Sequence, residues 1–306
     1  MFEKILAATD LVSTYDAPVL TALKIAKHNN GKVYVLHVIE STTSNSKDPN
    51  FVKHFPKGDN IIGNHQHEQE LRKEIQRTYK DPFESYHHHE IKVASGYPFE
   101  EILTWAKEIG ADLIVLGPHS GRAEEKGVVR VKGKIGSTAE GVIMNEQCPV
   151  MIVNQHVMDK RLEFKKLMVG IDFSASCICA LQFAIKVSRN FGSKIFVYHM
   201  LPVPPSTQYT HPIYERDMNI ARKKLDRICR EMPSGIDAEC KAWGGVHPHL
   251  EILKYAEKNE IDIIVMGSHT KEKGGKWYVG SAVERVSYRA TCPVIVVTDP
   301  EIVLKN

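Results

Sequence analysis

The chain has 306 residues, of which 42% are hydrophobic and 25% are charged, and its formal net charge is +3 at pH 7. This length predicts about two domains, and the near balance of charges argues against a nucleic-acid-binding protein. No apolar run reaches the ~18 residues needed to cross a bilayer, and the stretch Met1–Asp10 carries charges where a signal peptide has its apolar segment. We therefore expect a cytoplasmic protein that binds neither nucleic acid nor membranes.

The cysteines show no metal-binding spacing, because none lies in a CxxC motif. Cys177 and Cys179 would point to different sides of a helix, so they could not share a metal there. In a cytoplasmic chain this pattern predicts reduced, mostly buried thiols. The prediction covers all six: Cys148, Cys177, Cys179, Cys229, Cys240 and Cys292.

The sequence repeats itself once. FEKILAATD at Phe2–Asp10 matches FKKLMVGID at Phe164–Asp172, and KVYVLH at Lys32–His37 matches KIFVYH at Lys194–His199. Later matches join Ala111–Gly117 to Ile261–Gly267, Gly136-Ser137 to Gly280-Ser281, and Cys148-Pro-Val to Cys292-Pro-Val. The chain is thus predicted to be a tandem duplication, with domains over residues 1–155 and 163–300.

Short β-branched runs alternate with amphipathic segments in the first copy. In chain order we predict strand Lys4–Ala8, helix Asp16–His28, strand Lys32–Val38, helix Glu68–Tyr79, strand Glu90–Ala94, helix Phe99–Ile109, strand Asp112–Leu116, helix Thr138–Glu146 and strand Val150–Asn154. The fourth strand is apolar at successive residues, as a strand covered on both faces requires. The pattern predicts a Rossmann-like, doubly wound α/β fold with a five-stranded parallel sheet, formed twice.

Ligands of such sheets bind outside the carboxyl ends of the strands, so the residues that follow the first and fourth strands are candidates. Asp10 follows the first strand, Gly117 follows the fourth, and the loop then enters a helix at Gly136-Ser137-Thr138. A glycine loop at a helix N-terminus offers backbone N–H groups and the positive end of the helix dipole to a phosphate. The same residues also suit plainer roles, with Asp10 or Ser137 as a helix cap and Gly117 as a strand end. The residues alone leave both interpretations open.

The duplicated plan, the aspartate, the glycine loop, the Gly-Ser helix start and the Cys-Pro-Val before the last strand together resemble the universal stress protein family over nearly the whole chain. ATP-binding members carry glycine, two residues, glycine, nine residues, glycine, then serine or threonine. The first copy has a longer loop, with three residues between Gly117 and Gly121 and 14 between Gly121 and Gly136. The second copy keeps the spacing but has Thr270 in place of the second glycine, which would strain the loop or re-route it.

The resemblance implies a stress-response regulator that binds ATP or AMP with Mg²⁺. It implies nucleoside contacts from Asp10 and the backbone near Val38, and phosphate contacts from Gly117, Gly121, Gly136, Ser137 and Thr138. The second-copy equivalents are Asp172, Met200, Gly267, Gly280 and Ser281. We favour the first copy, because Gly121, Gly127 and Gly133 keep its loop permissive.

The family commonly dimerises through its last strand. The resemblance therefore implies an internal pseudo-dimer through Val150–Val153 and Val294–Val297, with a homodimer as a further possibility. Pairing these two apolar edges within one chain would also protect them from aggregation.

Other functions stay open. A slow ATP hydrolase would need a metal ligand and a water-orienting group, for which Asp10 and His119 are the candidates. A scaffold for another ligand or partner could use the polar insert Ser41–Gly63. His87 and His89 would point to one face of a strand, which raises the hypothesis of a zinc site. His37 and His199 are predicted to pack rather than to act in catalysis.

Overall fold

The computed structural model describes residues 1–11, 17–40, 60–119, 134–146, 148–155, 157, 163–206, 208–271 and 277–298. The first repeat contains β1 (Lys4–Thr9), α1 (Ala17–Asn29), β2 (Lys32–Glu40), α2 (Asn60–Thr78), α3 (Lys80–Ser85), β3 (His89–Gly96), α4 (Pro98–Ile109), β4 (Leu113–Leu116), α5 (Ser137–Asn145) and β5 (Val150–Ile152). The second contains β6 (Lys166–Ile171), α6 (Ala175–Phe191), β7 (Lys194–Pro202), α7 (His211–Arg230), β8 (Ala238–Gly245), α8 (Pro248–Lys258), β9 (Ile263–Gly267), β10 (His269–Lys271), β11 (Trp277–Val279), α9 (Ser281–Arg289) and β12 (Val294–Val297).

Ten of the described strands form one sheet in the order β3-β2-β1-β4-β5-β12-β9-β6-β7-β8. Within this sheet the strands of each repeat are parallel, and β5 pairs with β12 in antiparallel fashion, with Val150 opposite Val296 and Ile152 opposite Val294. The predicted doubly wound fold is confirmed in both repeats. Their last strands pair within the chain, so the two five-stranded sheets continue into each other.

The core lies on both faces of this sheet. Ile5 and Ala7 of β1 pack in the layer of α1, α2, α6 and α7, whereas Leu6 packs in the layer of α4, α5, α8 and α9. All four residues of β4 are buried, which explains why this strand is apolar at every position.

Two buried polar side chains at matched positions tie the repeats together. Asn154 Nδ2 donates to the carbonyl oxygens of Ser287 (3.0 Å) and Ala290 (2.9 Å) in and after α9. Thr298 Oγ1 donates to the carbonyl oxygen of Ile143 in α5, at 3.3 Å. Each repeat thus satisfies carbonyl groups at the C-terminal end of the other repeat's last helix, where the helix itself provides no donor.

A group of phenylalanines forms a second contact between the repeats. Phe2 precedes β1, and its ring centre lies 6.5 Å from that of Phe164, which precedes β6. Phe164 stacks on Phe191 at the end of α6, with 4.4 Å between the ring centres. Phe2 and Phe164 are nearly inaccessible to solvent, so the entry to each repeat is part of the shared core.

Some sequence predictions need correction. Cys229 of α7 and Cys240 of β8 form a disulfide, so the prediction of reduced thiols was wrong for this pair. The turn between α7 and β8 brings the two cysteines together, which their spacing alone did not indicate. Cys148, Cys177, Cys179 and Cys292 are thiols outside any disulfide, and two of these are buried.

The remaining differences concern helix and strand bounds. α3 was not predicted as a separate helix, and β5 ends two residues before the predicted Asn154. Residues 41–59, which hold most of the predicted insert, lie outside the described residues. Across the described part of the chain, every helix is too short or too polar to span a membrane.

Replacing Asn154 with alanine removes two buried hydrogen bonds and leaves two carbonyl groups without this donor. We expect a loss of about 2 to 3 kcal/mol in the free energy of unfolding, measured by urea denaturation. Asn145→Ala is the control, because that amide is exposed and bonds only within its own helix. Equal stabilities of the two variants would contradict the role given to Asn154.

The Cys229–Cys240 disulfide closes a short loop, with a sequence separation of 11 residues. Cys240→Ser should therefore lower the free energy of unfolding by about 2 to 3 kcal/mol, mainly through the entropy of the unfolded chain. Thiol reductant should lower the melting temperature of the parent protein and leave that of the variant unchanged. A parent protein insensitive to reductant would contradict this assignment.

Candidate functional site

The direction of winding reverses between β1 and β4 in the first repeat and between β6 and β9 in the second, which marks the ligand crevice in folds of this class. Ala7 of β1 lies opposite Val115 of β4. Asp10 follows β1 and Gly117 follows β4 at the same edge of the sheet, because the two strands are parallel neighbours. The structure therefore brings together the residues that the sequence placed after the first and fourth strands.

A hydrogen-bond network shapes the end of β1. His37 Nδ1 bonds the carbonyl oxygen of Thr9 at 2.9 Å, and Thr9 Oγ1 lies 3.0 Å from the hydroxyl oxygen of Tyr79. Thr9 Oγ1 also accepts from the backbone N–H of Leu11, whose φ is 59°. The chain thus turns sharply just after Asp10. Its counterpart His199 bonds the carbonyl oxygen of Ile171 at 2.8 Å. Both histidines are buried, in agreement with the prediction that they pack against neighbouring residues.

The N-terminus of α5 has the features expected of an anion site. Gly136 is the N-cap residue, so no side chain bonds the first turn from that position. Its backbone N–H donates to the carbonyl oxygen of Pro118 at 2.7 Å. A β-carbon on Gly136 would lie 3.2 Å from His119 Nδ1, so glycine permits this close approach. Ser137 is exposed and Thr138 half-buried, and neither is the N-cap.

The second repeat builds the matching loop differently. β10 and β11 form an antiparallel hairpin, in which Thr270 pairs with Tyr278. Thr270 thus lies in an extended strand, which suits a β-branched residue, and the loop is re-routed as one of the two expected outcomes. Gly280, the N-cap of α9, is buried, whereas Gly136 is half-buried.

Gly267 has a packing role in the second repeat. A β-carbon there would lie 2.5 Å from the carbonyl carbon of Ser176 and 2.7 Å from the backbone nitrogen of Cys177. Only glycine lets the end of β9 approach the first turn of α6 so closely. In the first repeat, a β-carbon on Gly117 would lie 3.3 Å from the carbonyl oxygen of His119, so this glycine is packed less tightly.

Asp172 is engaged by its own loop. Its Oδ1 accepts from the backbone N–H of Ser174 at 2.8 Å, and the Cys177 thiol also donates to it. Burial opposes the charge, but these hydrogen bonds hold the pKa of Asp172 below its ordinary value. Burial and the nearby Asp172 raise the pKa of the Cys177 thiol to about 12. Ser174 is the N-cap of α6, so Asp172 is not the cap.

The mouths of the two crevices differ in the residue after the aspartate. Phe173 lies 4.4 Å from the ring of His199, and Lys224 Nζ lies 5.3 Å above the Phe173 ring. Leu11 takes the place of Phe173 in the first repeat. Met200 is buried, whereas Val38, its first-repeat equivalent, is half-buried. The second crevice therefore carries more side-chain bulk.

The zinc hypothesis gains no support. His89 begins β3, stacks on Phe83 and bonds the carbonyl oxygen of Tyr86, whereas His87 is exposed before the strand. The pair was predicted to lie within one strand, and only His89 does. The residues that the structure describes hold no group of three or more His, Cys, Asp or Glu side chains suited to a metal ion.

Some predicted residues of the first loop cannot be placed. Among the positively charged residues predicted for this loop, the structure describes Lys134, which is exposed. The others lie outside the described residues, and they are Gly121, Arg122, Lys126, Gly127, Arg130, Lys132 and Gly133.

Three side chains near the first crevice were not predicted from the sequence. Tyr79 bonds Thr9, and the two others come from α9 of the second repeat. The Tyr288 ring lies 5.2 Å from the His119 ring, edge to face, and Glu284 Oε2 lies 4.0 Å from Lys134 Nζ. The sequence gives one indication of the last two, because Glu284 and Tyr288 are one helical turn apart and therefore lie on one face of a helix.

Comparison with known proteins agrees with the fold and the duplication. A family model described as "Universal stress protein family" matches residues 1–154 and 163–298. Universal stress protein MJ0531 of Methanocaldococcus jannaschii is 28% identical over 158 residues, which are 49% of this chain and 91% of that protein. Universal stress protein YxiE of Bacillus subtilis is 28% identical over 147 residues, 44% of this chain and 99% of that protein.

A solved structure shares the fold along the whole chain. The crystal structure of a universal stress protein from Archaeoglobus fulgidus covers 96% of this chain and 96% of that chain, with a TM-score of 0.60 and 21% identity. The family model, in turn, matches the two repeats separately. The chain belongs to the universal stress protein family and carries two family units in tandem.

Proposed function

We propose that this protein is a stress-response regulator that binds an adenine nucleotide, and that the first repeat holds the nucleotide. The observation that carries the proposal is the N-terminus of α5. It begins at a glycine, receives no bond from a side chain of its N-cap residue, and is bonded to Pro118 just after β4. Membership of the universal stress protein family supports the same assignment.

The first-repeat residues have separate roles in this proposal. The backbone N–H groups of the first turn of α5, with the hydroxyl groups of Ser137 and Thr138, would bind the phosphates. Asp10 would accept hydrogen bonds from the ribose, and the backbone near Val38 would contact the base. Gly117 and Gly121 would also contact the phosphates, as the resemblance to the family implies. Bound ATP would place its negatively charged phosphates at the start of α5, and occupancy of this site would be the regulatory signal.

The second repeat is the weaker candidate for three reasons. Its loop pairs with itself as the β10–β11 hairpin, Gly280 is buried, and Asp172 already bonds Ser174 and Cys177. A nucleotide at Asp172, Met200, Gly267, Gly280 and Ser281 would have to displace these contacts. We therefore propose that the second repeat is the degenerate copy.

Magnesium enters the proposal only as the companion of ATP, bound through phosphate oxygens. The cytoplasmic location and the homodimer stay predictions from the sequence and the resemblance.

Gly136→Val should abolish nucleotide binding, because its side chain would meet His119 Nδ1 and crowd the phosphate position. We expect affinity for ATP with Mg²⁺ to fall more than ~10-fold, or about 1.4 kcal/mol, by calorimetric titration of nucleotide-stripped protein. Gly280→Val is the matched control and should retain the affinity of the parent.

Three results would change the assignment. Loss of binding in Gly280→Val alone would place the nucleotide in the second repeat. Absence of binding by the parent protein would reject the nucleotide and leave the scaffold hypothesis. Steady release of phosphate from ATP by the parent, lost in Gly136→Val, would replace the regulator with a slow hydrolase.

Asp172→Asn should affect stability and not nucleotide affinity. A carboxylate whose pKa is lowered in the folded state stabilises the protein above its unfolded-state pKa, near 3.8, and this stabilisation is lost as the pH falls through the folded-state pKa. The parent should therefore be more stable than the variant at pH 7, with the difference shrinking below about pH 4. Urea denaturation across pH measures this. A difference that is constant with pH would contradict the account.

A further inference from the structure

We infer that α9 of the second repeat positions the phosphate loop of the first repeat, and that Tyr288 does so through His119. The relevance to ligand binding rests on the proposed function, whereas the structural coupling does not. Tyr288 is a positioning residue in this scheme, since it acts through another side chain.

Both described ends of the first loop contact one face of α9. At the start of the loop, the His119 ring meets the Tyr288 ring edge to face, with 5.2 Å between centres and an interplanar angle of 84°. At its end, Lys134 Nζ lies 4.0 Å from Glu284 Oε2, and the Glu284 side chain is only 11% exposed. Glu284 and Tyr288 are four residues apart on a helix, so they lie on one face. That face of α9 thus contacts both ends of the loop, and we call this pair of contacts the clasp.

His119 links this contact to the start of α5. Its Nδ1 lies 3.2 Å from the position of a β-carbon on Gly136, and the preceding Pro118 accepts the backbone N–H of Gly136 at 2.7 Å. A shift of the His119 ring would therefore move the backbone that opens α5. An edge-to-face aromatic contact has a defined geometry, so the Tyr288 ring restricts the ring of His119.

The arrangement is not symmetric. The residues of α5 that match Glu284 and Tyr288 are Glu140 and Met144, and Glu140 is exposed. The second loop instead pairs with itself as the β10–β11 hairpin, and α5 packs against β11. The second repeat thus contributes side chains to the first site, although its own loop has taken a different form.

The direct test compares Tyr288→Leu, which removes the ring, with Tyr288→Phe, which keeps it. Met144→Leu is the matched control on α5. Hydrogen exchange in the full-length protein without nucleotide should become faster at residues 117–119 and 134–140 in Tyr288→Leu. It should be unchanged in Tyr288→Phe and Met144→Leu, and rescue by phenylalanine separates positioning by the ring from a general loss of stability.

Titration with ATP and Mg²⁺ gives the second readout. Tyr288→Leu should bind about 5- to 10-fold more weakly, a coupling typical of linked sites, and Tyr288→Phe should bind as the parent does. If Tyr288→Leu does not fold, Glu284→Gln replaces it, with faster exchange expected at residues 134–140.

Different results would contradict the proposed nucleotide binding and the proposed coupling through Tyr288. A parent that binds no nucleotide rejects the proposed function, and the exchange data still decide the coupling. Unchanged exchange in Tyr288→Leu, or in Glu284→Gln where that variant replaces it, overturns the clasp. Binding by the parent with equal affinity in Tyr288→Leu overturns its role in the site.

Discussion

Each repeat ends in a short apolar strand, VMI in β5 and VIVV in β12, that a lone repeat would expose as a sheet edge. Exposed apolar edges invite association with other chains, and here the two edges satisfy each other in antiparallel fashion. This pairing makes one sheet of ten strands and brings residues that precede α5 into contact with α9. The cross-repeat bonds of Asn154 and Thr298 and the clasp on the first loop depend on it.

The duplication left the scaffold alike and changed the loops. Equivalent residues keep the same role where they bond the backbone. His37 and His199, for example, each bond a carbonyl oxygen at the end of β1 or β6. The loops after β4 and β9 carry no such constraint, since they lie outside the sheet and can vary without loss of the core. One copy has lengthened its loop, and the other has folded it into a hairpin. In our account, one repeat binds the ligand and the other supports it.

Hydrophobic periodicity was enough to predict the strands and the winding, because the central strands are buried on both faces and leave a plain pattern. The duplication was predicted from the matching segments of the two repeats. Chain order also placed Asp10 beside Gly117, since parallel strands end at one edge of the sheet. The sequence also showed that Thr270 would disturb the second loop. It could not show which of two outcomes followed, because hairpin pairing depends on residues on both sides of the turn.

Features that depend on distant residues were beyond the sequence. Cys229 and Cys240 meet only because α7 folds back on β8, and Tyr288 meets His119 only because β5 and β12 pair. Neither contact leaves a local pattern. α3 was missed for a different reason, since six residues are too few for a helical period to be distinct.

The central claim is that the nucleotide occupies the first repeat. Hydrogen exchange with and without saturating ATP and Mg²⁺ maps the protected segments in the intact protein, with no substitution needed. We predict slower exchange at residues 117–119 and 134–140, with the matching segments at 267–269 and 278–284 unchanged. Protection confined to the second set, or protection in neither, would contradict the account.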